Sequence, residues 1–388
     1  MQPGWLKEYF KPQDDGVGEH AVDDRGETPR CGDVSRRDFV TSGFVAGVAA
    51  GMAAGSVAGE VATAEAQTAN PLATRWWPGP WGAQDQRGAN NRMTPAKVVE
   101  AARLIKTGKV YQLGRVLEKG IPLFGERLGA HVVLPGTPTG GPFGKHNLYY
   151  RDELFVGEIG QIGSQFDGLG HLGMVAGDGK IRYYNGLPQD EVGSAYGLKK
   201  LGIEHLKPFF TRGILLDVLA VKGGERLPIG YVITMSDVRA TLQRQGTREP
   251  GEGDAVLFRT GHGKLWKKDN TEFNKGCPGP GATVGKWLAE RKVAVVGGDT
   301  WPVEAVPGED NDIPFACHAI WLTMNGIFIN ENLDLEELAA DKVYEFALVV
   351  QPAAPQGRDR FARELGRDRV ADVLVTRRPG YVPGRRCI

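Results

Sequence analysis

Residues 213–220, Gly213-Ile-Leu-Leu-Asp-Val-Leu-Ala220, form an apolar run with no helical spacing. Its length and aliphatic content predict a buried strand. Downstream, Ser236-Asp237 opens a predicted helix that runs to about Gln245, and Asp254 to Arg259 reads as another strand. A helix is expected from about Ala282 to Arg291, a strand from Val293 to Gly297, a short helix from Phe315 to Asn325, and strands at Ile327–Ile329 and Phe346–Val350. Alternation of the two element types predicts a mixed α/β domain rather than a bundle or a sandwich.

Toward the N-terminus, Leu154 to Ile162 reads as a strand and 163–170 as a stretch broken by glycines. Leu123 to Gly144 is rich in Gly and Pro without period, which predicts a long loop, and such loops are usually functional. Val110 to Val116 reads as a strand. Thr94 as N-cap and Pro95 at the first helical position predict a helix start. Its apolar face is expected at Val98, Val99, Ala102 and Leu104-Ile105, with Gly108 ending it. Residues 68–94, with Trp76, Trp77 and Trp81, read as an irregular aromatic arm before a main domain over 95–352, and 353–388 as an arginine-rich tail.

The first 67 residues are read as an address. Ser35-Arg-Arg-Asp-Phe-Val40 precedes a weakly apolar run to about Gly59, followed by Ala64-Glu65-Ala66. Twin arginine, apolar stretch and small-residue cleavage site predict export by the twin-arginine route to the periplasm. The run is poor in strongly hydrocarbon-seeking residues, so no lasting membrane association is expected after its removal.

The 388 residues carry 47 Lys+Arg and 47 Asp+Glu, a formal net charge of zero. That balance counts against nucleic acid as a partner, because phosphate binding needs an excess of cations. A 41% hydrophobic fraction argues against disorder, and 55 glycines point to many tight turns. Cys31, Cys277, Cys317 and Cys387 are too few for a disulfide scaffold. A Cys277–Cys317 bond is compatible with an oxidising compartment, but spacing does not establish it.

The chain contains no Gly-x-Ser-x-Gly elbow, Walker A loop, Cys-x-x-Cys or His-Glu-x-x-His, and Val296-Gly297-Gly298-Asp299, at a strand end, is not a dinucleotide fingerprint. What it does contain is Gln161-Ile-Gly-Ser-Gln165-Phe-Asp167-Gly-Leu-Gly-His171. The polar positions 161, 165, 167 and 171 are all odd, so an extended chain would place them on one face. Two amide oxygens, a carboxylate and an imidazole would make a divalent-metal site of hard character, with Mn²⁺ at least as plausible as Zn²⁺. The same spacing fits a polar turn capped by Asp167. Downstream, His318 in Ala-Cys-His-Ala fits a core histidine as well as a ligand, and Glu331 in Ile-Asn-Glu-Asn fits a solvated strand end as well as a site carboxylate.

Together with the Trp81-Gly-x-x-Asp-Gln-Arg-Gly-Ala-Asn-Asn91 arm, Thr211–Asp217, Gly253–Gly261 and Val295–Thr300, these clusters resemble the metal-dependent cyclase family. That family includes bacterial kynurenine formamidase, isatin hydrolase and trans-dienelactone hydrolase, and the resemblance spans about 75–352. It implies a swivelling β/β/α domain, a mixed sheet with flanking helices, and a homodimer or homotetramer. Formamidase-type members carry His-x-x-x-His-x-Asp-x-x-x-His, whereas Gln161 and Gln165 replace the leading histidines here, a form similar to the trans-dienelactone hydrolase branch. The resemblance implies one divalent ion, Mn²⁺ or Zn²⁺, held by ligands from Gln161, Gln165, Asp167, His318 and Glu331, not all at once, with His171 as general base and acid. His146, Trp76 and Trp77 are expected to line the pocket for a small-molecule substrate. The expected activity is hydrolysis of a lactone or cyclic amide; the alternatives are an arylformamide hydrolase and a non-catalytic metal- or metabolite-binding protein.

Overall fold

A computed structural model of the chain describes residues 75–125, 127, 129–133, 138–152, 154–158, 160–351, 360–362 and 372–374. The expected export signal, the start of the arm and most of the tail lie outside these residues. Among the described residues, no helix is long and apolar enough to cross a membrane.

Helix α1 (Pro95–Ala102) begins as expected, with the Thr94 hydroxyl accepting the Lys97 N–H at 3.2 Å. Its buried face differs from the sequence reading. Val98 and Val99 are exposed, while Lys97 and Ala101 are buried, because Lys97 Nζ pairs with the buried Asp254. The helix also stops at Ala102, short of Leu104-Ile105. Next come β1 (Val110–Gln112), β2 (Ala130–Val133), β3 (Gly140–Phe143), β4 (Leu148–Tyr150) and β5 (Leu154–Gly157). β2 and β3 therefore fall in the stretch expected to be a loop. β2 pairs with β5 and β3 with β4, both antiparallel, so backbone pairing supplies the order that side-chain periodicity did not announce.

Strand β6 (Gln165–Asp167) lies inside the glycine-broken stretch and is fully buried. Shorter elements aside, the chain then forms β7 (Phe209–Asp217), α2 (Val218–Lys222), α3 (Met235–Gln245), β8 (Ala255–Arg259), α4 (Ala282–Glu290) and β9 (Val295–Gly298). α5 (Ala316–His318) continues into a π-helical turn, Ala319–Met324. β10 (Phe328–Glu331), α6 (Glu336–Ala340), β11 (Glu345–Val350), β12 (Arg360–Ala362) and β13 (Asp372–Leu374) complete the order. A capping box between Thr234 and Asp237 starts α3, and Gly246 in the left-handed region ends it.

The central sheet has the order β11-β7-β8-β9-β10-β6-β12. β7 to β10 run parallel to one another, while β11, β6 and β12 pair antiparallel to their neighbours. This is the mixed α/β domain that alternation predicted, with the mixed sheet and flanking helices that the resemblance implied. β12 belongs to the arginine-rich tail and pairs with β6, and β13 pairs with β1. Gly213 is needed in β7 because a Cβ there would meet the Phe346 ring at 2.2 Å.

The core is formed by the aliphatic residues of β7, β8 and β9 and by three rings. Phe166, Phe209 and Phe328 meet with centroids 5.1–5.4 Å apart. Strand alternation then sends Gln165 and Asp167 to the face opposite Phe166. A buried charge network ties the layers: Asp254 accepts from Lys97 and, at 2.6 Å, from Arg212, which also reaches Glu345 at 2.8 Å.

Asp254→Ala would take the buried carboxylate from Lys97 and Arg212, leaving them the partly exposed Glu100 and Glu345 as their carboxylate partners. Urea unfolding should show a loss of about 3–5 kcal/mol. A loss under about 1 kcal/mol would mean that water screens these charges as it does at a surface.

Candidate metal centre

β10 and β6 lie side by side, with Glu331 opposite Gln165 and Ile329 opposite Asp167. Cross-strand partners point to the same face. Asp167 and Glu331 therefore converge, both at zero exposure. α5 brings His318 over them. Its Nε2 lies 3.7 Å from Asp167 Oδ2 and 3.5 Å from Glu331 Oε1. One ligand atom from each of the three residues falls within 4.8 Å of the others, a group suited to a metal ion. These separations are compatible with bonds of about 2.0–2.2 Å from each atom to a shared ion.

Gln165 lies between the carboxylates. Its Nε2 donates to Asp167 Oδ1 at 3.1 Å and to Glu331 Oε2, while its Oε1 accepts the Gln161 N–H at 2.6 Å. Each carboxylate thus has one oxygen turned to Gln165 and the other turned to His318. The Gln165 oxygen, expected as a ligand, accepts a backbone N–H here. Gln161 is not on the strand face that odd spacing implied, since it adopts φ 59° in the turn before β6. Its Oε1 is buried without a hydrogen-bond partner, an acceptor that fits a cation. His171 also leaves the extended segment: its N–H bonds Gly168 O in a turn, and its Nε2 stands 3.9 Å from Asp167 Oδ2. Its side chain is 15% exposed, against 5% for His318, so it borders the buried group on the more open side.

Electrostatics at the group are dominated by acid. Burial disfavours the charged imidazolium of His318, but hydrogen bonding to Asp167, Glu304 and Glu331 outweighs it and holds the His318 pKa well above its ordinary value. Glu304 was not singled out in the sequence. It is buried, its Oε1 accepts the His318 N–H at 2.9 Å and faces Nδ1 at 2.6 Å, and its Oε2 accepts the Cys317 N–H at 2.9 Å. It lies four residues past Thr300, the end of one stretch that carries the family resemblance. Ser164 and Asn332 were also missed. Ser164 Oγ donates to Asn332 O at 2.6 Å and Asn332 Nδ2 to Gly163 O at 2.8 Å, locking the turn before β6 to the end of β10.

The residues expected to line the pocket are His146, Trp76 and Trp77. His146 is exposed in the turn between β3 and β4. Trp76 donates to Tyr183 O at 3.2 Å, and Trp77 packs on Gly186 beneath the Arg182 guanidinium, so 182–186 holds both indoles. The aromatic residues near His318 are Phe315, edge-on at 5.7 Å, then Trp301, then Phe124 stacked on Trp301 at 4.3 Å. Cys277 and Cys317 are both free and buried, bonding Glu304 O and Pro280 O respectively, and burial raises both thiol pKa values.

The Cyclase family, described as "Putative cyclase", matches residues 111–305. Among solved structures, a novel cyclase is similar at 32% identity, over 76% of this chain and 96% of that one, with a TM-score of 0.65. An isatin hydrolase bound to the product analogue thioisatinate is similar at 15% identity, over 74% and 100%, with a TM-score of 0.51. Isatin hydrolase A from Ralstonia solanacearum is similar at 19%, over 69% and 95%, with a TM-score of 0.50. At the latter two identities the likeness is one of fold. No curated protein matches the chain.

For the protein kept free of metal, the raised His318 pKa has a definite sign. Its stabilisation is fully present below the unfolded value near 6.5 and is lost as pH rises through the folded value. Urea-unfolding stability should therefore fall across that window, and His318→Gln should remove this contribution. Parallel curves for the two proteins would contradict the assignment.

Proposed function

This chain belongs to the cyclase family, and on that premise we propose that it is a metal-dependent hydrolase that opens a lactone or cyclic amide. The observation that carries this reading is the buried convergence of Asp167, His318 and Glu331. A divalent ion held there supplies charge that lowers the pKa of water and polarises a carbonyl. Asp167 Oδ2, Glu331 Oε1 and His318 Nε2 are the holding atoms, with Gln161 Oε1 as a further oxygen donor. Oxygen donors outnumber nitrogen, which supports Mn²⁺ at least as well as Zn²⁺. In this reading Gln165 is a clamp that aims the carboxylates rather than a ligand.

His171 takes a proton from the attacking water as its oxygen adds to the carbonyl carbon. It returns that proton to the leaving oxygen or nitrogen as the C–O or C–N bond breaks. The product is one opened molecule with a new carboxylate and a hydroxyl or amine. The Gln-x-x-x-Gln-x-Asp-x-x-x-His form supports the lactone side of this choice. Phe315, Trp301 and Phe124 offer the apolar wall beside His318. The Arg36-Arg37 signal supports a periplasmic location, and the family resemblance supports a homodimer or homotetramer.

Elemental analysis of protein starting near Thr68, purified without chelator, should find about one divalent ion per chain. Asp167→Ala should lose both the ion and lactone hydrolysis while keeping its circular dichroism. Near-wild-type turnover in that variant would sink the reading. His171→Ala should keep the ion and lower turnover by roughly 10²–10⁴. An unchanged rate and pH profile would remove His171 from the chemistry.

A further inference from the structure

We infer that Glu304 is a positioning residue that fixes which nitrogen of His318 faces the metal-binding group. The inference rests on the hydrolase reading and extends it by one residue. Glu304 is 5% exposed, and its two oxygens meet three N–H groups: those of Cys317 and His318 in the backbone and Nδ1 of the His318 ring. A carboxylate engaged this way is an acceptor, so Nδ1 carries the proton. Nε2 is then the nitrogen left to offer its lone pair to a cation shared with Asp167 and Glu331, whose oxygens lie 3.7 and 3.5 Å away. The same carboxylate grips the backbone at the start of α5, so ring and main chain are held by one group. A carboxylate donating electron density through imidazole in this way makes the ring a stronger metal ligand.

Glu304 is held in turn by its own surroundings. Val303 before it adopts φ 60°, a conformation that a β-branched residue rarely takes without support. The Cys277 thiol donates to Glu304 O at 3.3 Å. Glu304 also lines a cavity of about 220 Å³, together with Lys286, Ile313, Phe315 and Ala316. That cavity gives a small carboxylate a way in if the Glu304 side chain is cut back.

The test is the affinity of the full protein for Mn²⁺ and Zn²⁺, measured by chelator competition. Glu304→Ala should bind about 10–100-fold more weakly, and added formate should recover part of the loss. Glu304→Gln keeps the volume but offers the three N–H groups a single oxygen; it should also weaken binding by about tenfold, and it decides the matter if the alanine variant does not fold. Glu309→Ala, exposed on the same cavity, should match wild type with or without formate. A folded Glu304 variant within a factor of two of wild type, or a loss in Glu304→Ala that formate leaves untouched, overturns the inference. Wild-type protein that binds neither ion overturns the hydrolase reading itself, a result distinct from a variant that binds as wild type does.

Discussion

Two carboxylates with no solvent exposure, Asp167 and Glu331, share one face of adjacent antiparallel strands as diagonal neighbours. Burying an uncompensated carboxylate costs several kcal/mol even after relaxation, so the pair requires a cation and well-placed donors. Much of the neighbouring structure answers that requirement. Gln165 gives both N–H groups of its amide to the carboxylates, one to each. His318 approaches their other oxygens, and its raised pKa expresses the same demand as a bound proton. A divalent ion meets the demand more fully, with more charge and with bonds to several donors at once.

Holding such a group together takes backbone strain at defined points. Gln161, Val303, Phe315 and Asn332 all have φ between 56° and 60°. Each is a site residue or stands within three positions of one. Strain of this kind persists only where the surroundings over-determine it. Here the surroundings are the Phe166–Phe209–Phe328 ring cluster under β6, the Ser164–Asn332 lock between β6 and β10, and the π-helical turn that follows His318. The tail strand β12 covers the other edge of β6, so the site strand is paired on both sides. An edge position would leave unpaired N–H and C=O groups beside the buried acids.

The parallel strands β8, β9 and the Gly213–Asp217 part of β7 were legible because aliphatic runs buried in a sheet need no alternation to be recognised; Val218–Ala220, read as the same strand, instead open α2 under an Asp217 cap. α1 and α3 were legible by their caps. β6 was not, because three residues between glycines carry no period. Its pairing with β10 and β12, together with the packing of Phe166, makes it a strand. Lys97 was hidden for a different reason. A charged residue on a helix reads as solvent-facing until its partner, Asp254, is brought up from 157 positions away.

At the site, sequence alone determined the chemical types available: Gln161, Gln165, Asp167 and His171 at close spacing, and His318 and Glu331 in two separate apolar contexts. Those identities suit hard, oxygen-rich cation binding with an imidazole nearby, and by spacing alone they suit a polar turn as well. Only the tertiary structure decided which atoms meet. It set Gln165 between the acids with its oxygen on a backbone N–H, turned Gln161 out of the strand, held Trp76 and Trp77 on 182–186, and brought Glu304 behind His318. The physical reason is that amide orientation, histidine tautomer and carboxylate aim are set by hydrogen-bond partners that lie far apart along the chain and become neighbours only when the sheet closes.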